Sequence, residues 1–245
     1  MLIRKQKGTQ FNCFTPPVML ATIIIELSLA AYALWRYKLS NLTRLVAVFL
    51  IALATFQVAE YFVCTSASHG EQWSRLGFIA ITALPPIGLH LMHMLANKPN
   101  RKLVAAGYAS MVAFSVFFLL AQNTFNGHQC TGNYVIFQFS QNVTGIYSLY
   151  YYAWLLVGIG LGIHWANELH DKGIAQLKRL QSVRALVVGY FVFLVPTAVA
   201  NTIRPETRRG IPSIMCGFAV LLALILVLYI LPRMAELKKS NKAKT

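Results

Sequence analysis

The chain has 245 residues, 57% of them hydrophobic and only 12% charged, with a mean hydropathy of +0.56. That composition belongs to polytopic membrane proteins and excludes an ordinary soluble domain, in which about a quarter of the residues are charged. The net charge of +15 is scattered over short loops and not gathered on one face, so anionic lipid headgroups, and no nucleic acid, are the expected partners.

Seven apolar stretches follow one another at residues 16–37, 43–64, 73–96, 103–122, 143–167, 182–203 and 213–232. Each reaches the roughly 20 residues that a helix needs to cross a hydrocarbon core of ~30 Å. Strands are disfavoured as spanning elements, because an open sheet edge in lipid leaves backbone groups unpaired. The expected fold is therefore all-α, an integral membrane bundle of seven transmembrane helices over residues 16–233. Residues 1–15 form an external N-terminal segment and residues 234–245 a basic cytoplasmic tail. Arg4, Lys5 and Lys7 imitate the start of a signal peptide, but the apolar run behind them contains Glu26 and is too long for one.

Polar residues inside the spans carry the functional reading, since an ionised side chain at membrane depth costs at least ~2.5 to 3.5 kcal/mol unless it faces protein or water. In the first span Glu26 lies near mid-depth with no basic residue at its level. In the second, Gln57 and Glu60 are close to one helical turn apart and share a face. Arg75 opens the third span at the level of Glu60, and an ion pair between them is the simplest expectation. Pro85 and Pro86 at the centre of that span remove backbone donors and predict a kink, a candidate hinge. Beyond the kink, His90 and His93, with His164 at similar depth in the fifth span, are the residues that would hold haem or a transition metal. No cofactor is expected from so weak a pattern.

After the fourth span, Gly127, Cys130, Gly132 and Asn133 mark a turn region. The β-prone run Tyr134–Phe139 behind it predicts a short hairpin lid. Tyr147, Tyr150, Tyr151 and Tyr152, with Trp73, are expected in one interfacial aromatic belt, and Trp35, Tyr37 and Trp165 in the other. Gly158, Gly160 and Gly162 read as close helix packing. In the sixth span Thr197 and Asn201 lie one turn apart just past Pro196, a further candidate hinge. With Glu26, Gln57, Glu60 and Arg75 they would line a polar, ligand-binding cavity. Catalytic signatures such as G-x-S-x-G, H-E-x-x-H and the P-loop are missing.

With seven spans the termini lie on opposite sides. The loops and tail on the C-terminal side, with the adjoining helix ends, hold 15 of the 22 Lys and Arg residues. An N-terminus outside and a C-terminus in the cytoplasm follow. Cys13, Cys64, Cys130 and Cys216 all fall on or near the external side, where two disulfides with three possible pairings are open to them.

One segment goes beyond composition: Trp73-Ser74-Arg75-Leu76-Gly77, running through Thr82 and Leu84 into Pro85-Pro86, then Leu89-His90-Leu91. It resembles the third span of the seven-helix sensor region at the N-terminus of many bacterial histidine kinases. The resemblance implies a receptor-like domain of a bacterial inner membrane that passes a stimulus to a cytoplasmic output domain. After Arg233 this sequence has only a short polar stretch. The expectation is a non-enzymatic sensor or ligand-binding protein that takes a small molecule or lipid in its outer half and acts through a separately encoded effector. A homo-oligomer is compatible with this layout. The competing expectation is a transporter or channel subunit with Glu26 as its ion or proton site.

Overall fold

The computed structural model describes residues 16–37, 39–65, 69–121, 125–130, 135–139, 141–171 and 176–242. Its helices are α1 (Pro16–Arg36), α2 (Asn41–Thr65), α3 (Gly70–Thr82), α4 (Leu84–Ala96), α5 (Arg101–Leu120), α6 (Gln141–Asp171), α7 (Leu177–Ile203), α8 (Ile211–Leu224) and α9 (Leu231–Lys242). A π-helical turn, Ile225–Ile230, joins α8 to α9, and a 3-10 turn, Pro205–Gly210, precedes α8. Grouped into continuous rods, these make seven helices long and apolar enough to cross a membrane, at the seven places where the hydropathy predicts them. They mark the chain as an integral membrane protein. Past residue 233 the chain continues as helix to Lys242.

Local chemistry sets the helix ends. Ser40 starts α2, its hydroxyl accepting the backbone N–H of Thr43 at 3.2 Å. Asn97 ends α4 in the left-handed conformation (φ 56°), where its N–H and that of Lys98 bond to the last carbonyls. Pro99 prevents continuation, and the Asn100 side chain caps α5 by accepting from Leu103 N at 3.1 Å.

Burial separates the helices by role. Eleven of the thirteen residues of α4 are buried, which makes it the central rod, and it packs against α2, α5, α6 and α7. Only Gly107 and Phe118 are buried in α5, whose Val112, Val116, Leu119 and Leu120 face outward as lipid would require. Of the glycine run, Gly162 packs tightly, and a β-carbon there would meet Met92 Cε and Val187 Cγ2 at 2.6 Å. Gly160 has no neighbour within 4 Å of such an atom, so close packing holds for one side of the run only.

The double proline acts as expected on the backbone. The third span breaks at Ala83, and Pro85 and Pro86 occupy the first turn of α4. In an unbroken helix the residue at position 86 would donate to the Thr82 carbonyl, but proline has no N–H to give. That carbonyl instead accepts the Tyr150 hydroxyl of α6 at 2.7 Å, while the Thr82 hydroxyl bonds to Phe78 O at 2.6 Å and meets Tyr147 Oη at 3.1 Å. The bend is thus latched from a neighbouring helix.

Three substitutions test these statements. Gly162→Val should lower stability by about 1 to 3 kcal/mol through overpacking, read as a reduced Tm in detergent, whereas Gly160→Val should leave Tm within error. Tyr150→Phe should cost about 1 to 3 kcal/mol by orphaning the Thr82 carbonyl, with little change in volume. An unchanged Tm for Tyr150→Phe would mean that the latch bears no load.

Candidate functional site

At the bundle end opposite most of the basic residues, β1 (Phe125–Cys130) pairs antiparallel with β2 (Val135–Phe139), Cys130 facing Val135 and Phe125 facing Phe139. The expected hairpin is present, with Val135–Phe139 as one strand; Gly132, Asn133 and Tyr134 lie outside the described residues. The register slips between Phe125 and Gly127, a bulge for which Gly127 takes φ 137°, a value open to glycine.

Aromatic packing and one covalent bond hold this hairpin down. Phe78 of α3 sits at the centre of a ring cluster, 5.5 Å from Phe125, 5.1 Å from Phe137, 5.5 Å from Phe118 and 5.6 Å from Tyr147 between centroids. Cys130 of β1 is disulfide-bonded to Cys64 near the end of α2, with 5.8 Å between α-carbons. Of the other two cysteines, Cys216 is a free thiol buried in α8 and lacks the disulfide expected of it, because its helix turns it into the bundle core. Cys13 lies outside the described residues.

Beneath the hairpin is a cavity of about 680 Å³, walled by β1, β2, α3, the first turns of α6 and the start of α8. Phe78, Ile81, Phe137, Tyr147, Ile211 and Met215 supply apolar walls, and Gln129, Gln138, Thr144, Ser148, Tyr151 and Tyr152 supply amide and hydroxyl groups. None of the described lining residues carries a formal charge. Volume and lining match small-molecule sites, which run from about 300 to 1,000 Å³ and are mostly apolar with a few placed polar groups. Deeper in the bundle a void of about 20 Å³, reaching Pro85, Tyr190 and Phe193, shares Tyr151, Met215 and Cys216 with the cavity wall.

Next to this cavity runs a buried polar ladder. Gln57 of α2 donates to Glu26 Oε1 of α1 at 3.0 Å and accepts from the Thr22 hydroxyl. One turn further along α2, the fully buried Glu60 is hydrogen-bonded to Ser213 of α8. Ser213 in turn accepts the backbone N–H of Val135 in β2 at 3.2 Å. Glu26, Glu60 and Cys216 lie within electrostatic reach of one another.

The expected polar residues therefore divide. Glu26, Gln57 and Glu60 come together, but Arg75 does not join them, and the anticipated Glu60–Arg75 ion pair is absent. Arg75 points along the other face of α3. It pairs with Glu71 at 2.7 Å and donates to the carbonyls of Phe118, Leu119 and Ala121 at 2.7, 2.9 and 2.8 Å, closing the end of α5. Thr197 bonds to Phe193 O of its own helix, and Asn201 accepts the Thr207 hydroxyl at 2.7 Å, so both serve α7 and its following turn. Pro196 stands within α7.

The imidazoles are also dispersed. His90 meets the Tyr108 hydroxyl at 3.1 Å, His93 bonds to Leu89 O at 2.9 Å and packs edge-on to Trp165, and His164 is exposed. Among the described residues no group of three or more His, Cys, Asp or Glu side chains could hold a metal ion.

Sequence reasoning missed the cavity's own residues. Tyr147, Tyr151 and Tyr152 were expected in an interfacial belt, yet they turn inward, and Tyr150 with them. Trp165 likewise turns inward and is buried. Three consecutive tyrosines cannot all face lipid on a helix, because successive residues point about 100° apart, and that is the one signal that was present.

In a Cys13→Ser background, Cys64 and Cys130 should react with maleimide only after reduction. Breaking the bond should lower stability by about 2 to 4 kcal/mol and speed amide exchange in the hairpin. Labelling of both without reductant would remove the staple.

Comparison with the models of known protein families and with curated proteins finds no match for this chain, so a functional reading stands on the site's geometry and chemistry.

Proposed function

We propose that this protein is a non-enzymatic ligand-binding sensor of a bacterial inner membrane, with the hairpin end outside and the basic end in the cytoplasm. The observation that carries the reading is the 680 Å³ cavity under a stapled hairpin. Aromatic walls with amides and hydroxyls, and no charge among the described lining residues, suit a neutral amphipathic small molecule or lipid. A charged ligand would enter this wall without a counter-charge and lose hydration.

A disulfide favours placing the hairpin in an oxidising compartment, and the excess of Lys and Arg at the opposite end favours the same orientation. The resemblance of the Trp73–Leu91 segment to kinase sensor regions supports the receptor-like role.

Transmission starts at the cavity. Phe78 and Ile81 of α3 line it, one turn before the break at Ala83, and the Tyr147 that lines it touches the hydroxyl of Thr82, whose carbonyl holds the bend. A ligand that favours one setting of this latch shifts α4 by no more than its differential affinity for the two settings. At the basic end α4 and α7 are tied by Arg179 donating to Leu95 O at 3.3 Å, and α7 and α9 by Lys178 and Glu236 at 2.9 Å. That end is where an effector would be contacted.

Gly145 gives the sharpest test. It is exposed at the cavity lining, and a β-carbon there would meet nothing within 4 Å, so Gly145→Trp adds bulk beside the cavity without a clash at the β-carbon. Neutral amphipathic compounds screened by thermal shift on the full chain in nanodiscs should yield binders. Their affinity should fall at least about tenfold, ~1.4 kcal/mol, in Gly145→Trp and in Ser148→Trp. Binders unaffected by both variants, or none in a broad screen of such compounds, would defeat the reading.

A further inference from the structure

The ladder between α1, α2 and α8 contains two groups that the cavity does not use. Glu26 and Glu60 are both buried, at 0% and 3% exposure, and neither is ion-paired among the described residues. Each carboxyl has one satisfied oxygen: Glu26 Oε1 accepts the Gln57 amide, and Glu60 is bonded to Ser213. The other oxygen of each, Glu26 Oε2 and Glu60 Oε1, is inaccessible to solvent and has no hydrogen-bond partner. Native structures rarely leave such atoms orphaned, and those that remain mark a missing ion or water or a functional group.

Two ways of removing the charge are open. Protonating both carboxyls neutralises the pair, yet it leaves each orphan oxygen, as hydroxyl or as carbonyl, without a partner. A cation that reached both orphan oxygens would satisfy both at once. The surroundings offer further oxygen: the Thr22 hydroxyl and the Gln57 amide on one side, the Ser213 hydroxyl on the other. Oxygen-only donor sets select hard cations, not soft transition metals. The titratable groups within electrostatic reach are the pair itself, Cys216 of α8 and, through Cys216, Tyr147 and Tyr151 of α6. None of these is cationic, so among the described residues no positive group faces the site. An ion reaching it must shed its water, and because that cost rises with the square of the charge, a monovalent ion is favoured over a divalent one.

We propose that Glu26 and Glu60 form a binding site for a dehydrated monovalent metal cation, Na+, held between α1, α2 and α8. It is separate from the ligand cavity and stands whether or not that cavity binds anything. Gln57 positions the Glu26 carboxylate and Ser213 that of Glu60. One Na+ balances one carboxylate, so one of the two acids keeps its proton while the ion displaces the other, and protons compete with the ion for that place.

The test uses the full chain in zwitterionic nanodiscs. Tm is followed by tryptophan fluorescence as NaCl replaces choline chloride at constant ionic strength. Na+ should raise Tm, increasingly with the logarithm of its concentration above Kd. K+ should need at least about tenfold higher concentration for the same shift, since its larger radius fits a collapsed site less well. Acidifying the buffer should weaken the Na+ effect. Glu26→Gln and Glu60→Gln should each abolish the Na+ dependence while retaining a cooperative transition. Equal Tm in Na+ and choline over the whole range would overturn the site using wild-type protein alone, even if the variants fail to fold. A Na+ shift that persists in a folded Glu26→Gln/Glu60→Gln double variant would overturn it as well. A Ca2+ response in place of the Na+ response would overturn the monovalent assignment.

Discussion

In an apolar bundle no buried polar group has water to fall back on, and each must find its partner within the chain. Much of the architecture is an answer to that demand. The carbonyl freed by Pro86 is taken by Tyr150, and the carbonyls at the end of α5 are gathered by Arg75. The N–H of Val135, on the β2 strand that closes the cavity, is received by Ser213. Each of these bonds joins elements far apart in sequence, so satisfying the backbone also fixes the tertiary arrangement. The demand is not met within the described residues at Glu26 Oε2, Glu60 Oε1 and His93 Nε2, three buried atoms without a hydrogen-bond partner.

The cavity follows from the same logic. A two-stranded hairpin is marginal by itself in water. Here it is stable because Phe125 and Phe137 dock on Phe78 and because Cys130 is bonded to Cys64. Such anchoring holds the hairpin clear of the tyrosines of α6 and leaves a preformed space. Preorganisation of this kind lowers the ordering cost of binding, which favours a ligand that meets mostly apolar wall and few polar contacts.

The spans were legible because hydropathy reports one coordinate, depth, and depth decides where a chain crosses lipid. The second coordinate, the direction a residue takes around its helix, is set by packing between distant segments and is only weakly encoded. Glu60 and Arg75 share a depth, which made a pair the natural expectation, but they point to different neighbours, Ser213 and the end of α5. Thr197 and Asn201 fail to join Glu26 for the same reason. Tyr147 to Tyr152 were read by depth as a belt, although their close spacing requires some to turn inward. Conversely, the break at Ala83 and the strand at Val135–Phe139 were readable, since proline chemistry and β-propensity act locally. The partner of Cys130 was not, because the pairing depends on which helix end lies beneath the hairpin.

The ladder also bears on how the proposed cation site and the proposed ligand cavity relate. Ser213 is bonded both to Glu60 and to the backbone of β2, and Cys216, one turn along α8, lines the cavity while facing the acid pair. Charge placed on Glu60 strengthens its claim on the Ser213 hydroxyl proton, and that leaves the Ser213 oxygen a better acceptor for Val135 N–H. Neutralising the pair weakens both bonds together. The hairpin that closes the cavity is thereby held at one edge by a covalent bond and at the other by a hydrogen bond whose strength follows the charge state of the buried acids. Any coupling between ion and ligand has to be reciprocal, each changing the other's affinity by the same factor. Its size is bounded by what one neutral N–H bond contributes, about 0.5 to 1.5 kcal/mol. That is enough to tune affinity at the proposed cavity several-fold and too little to act as a switch, which leaves the latch at Thr82 and Tyr150 as the element able to carry a larger change.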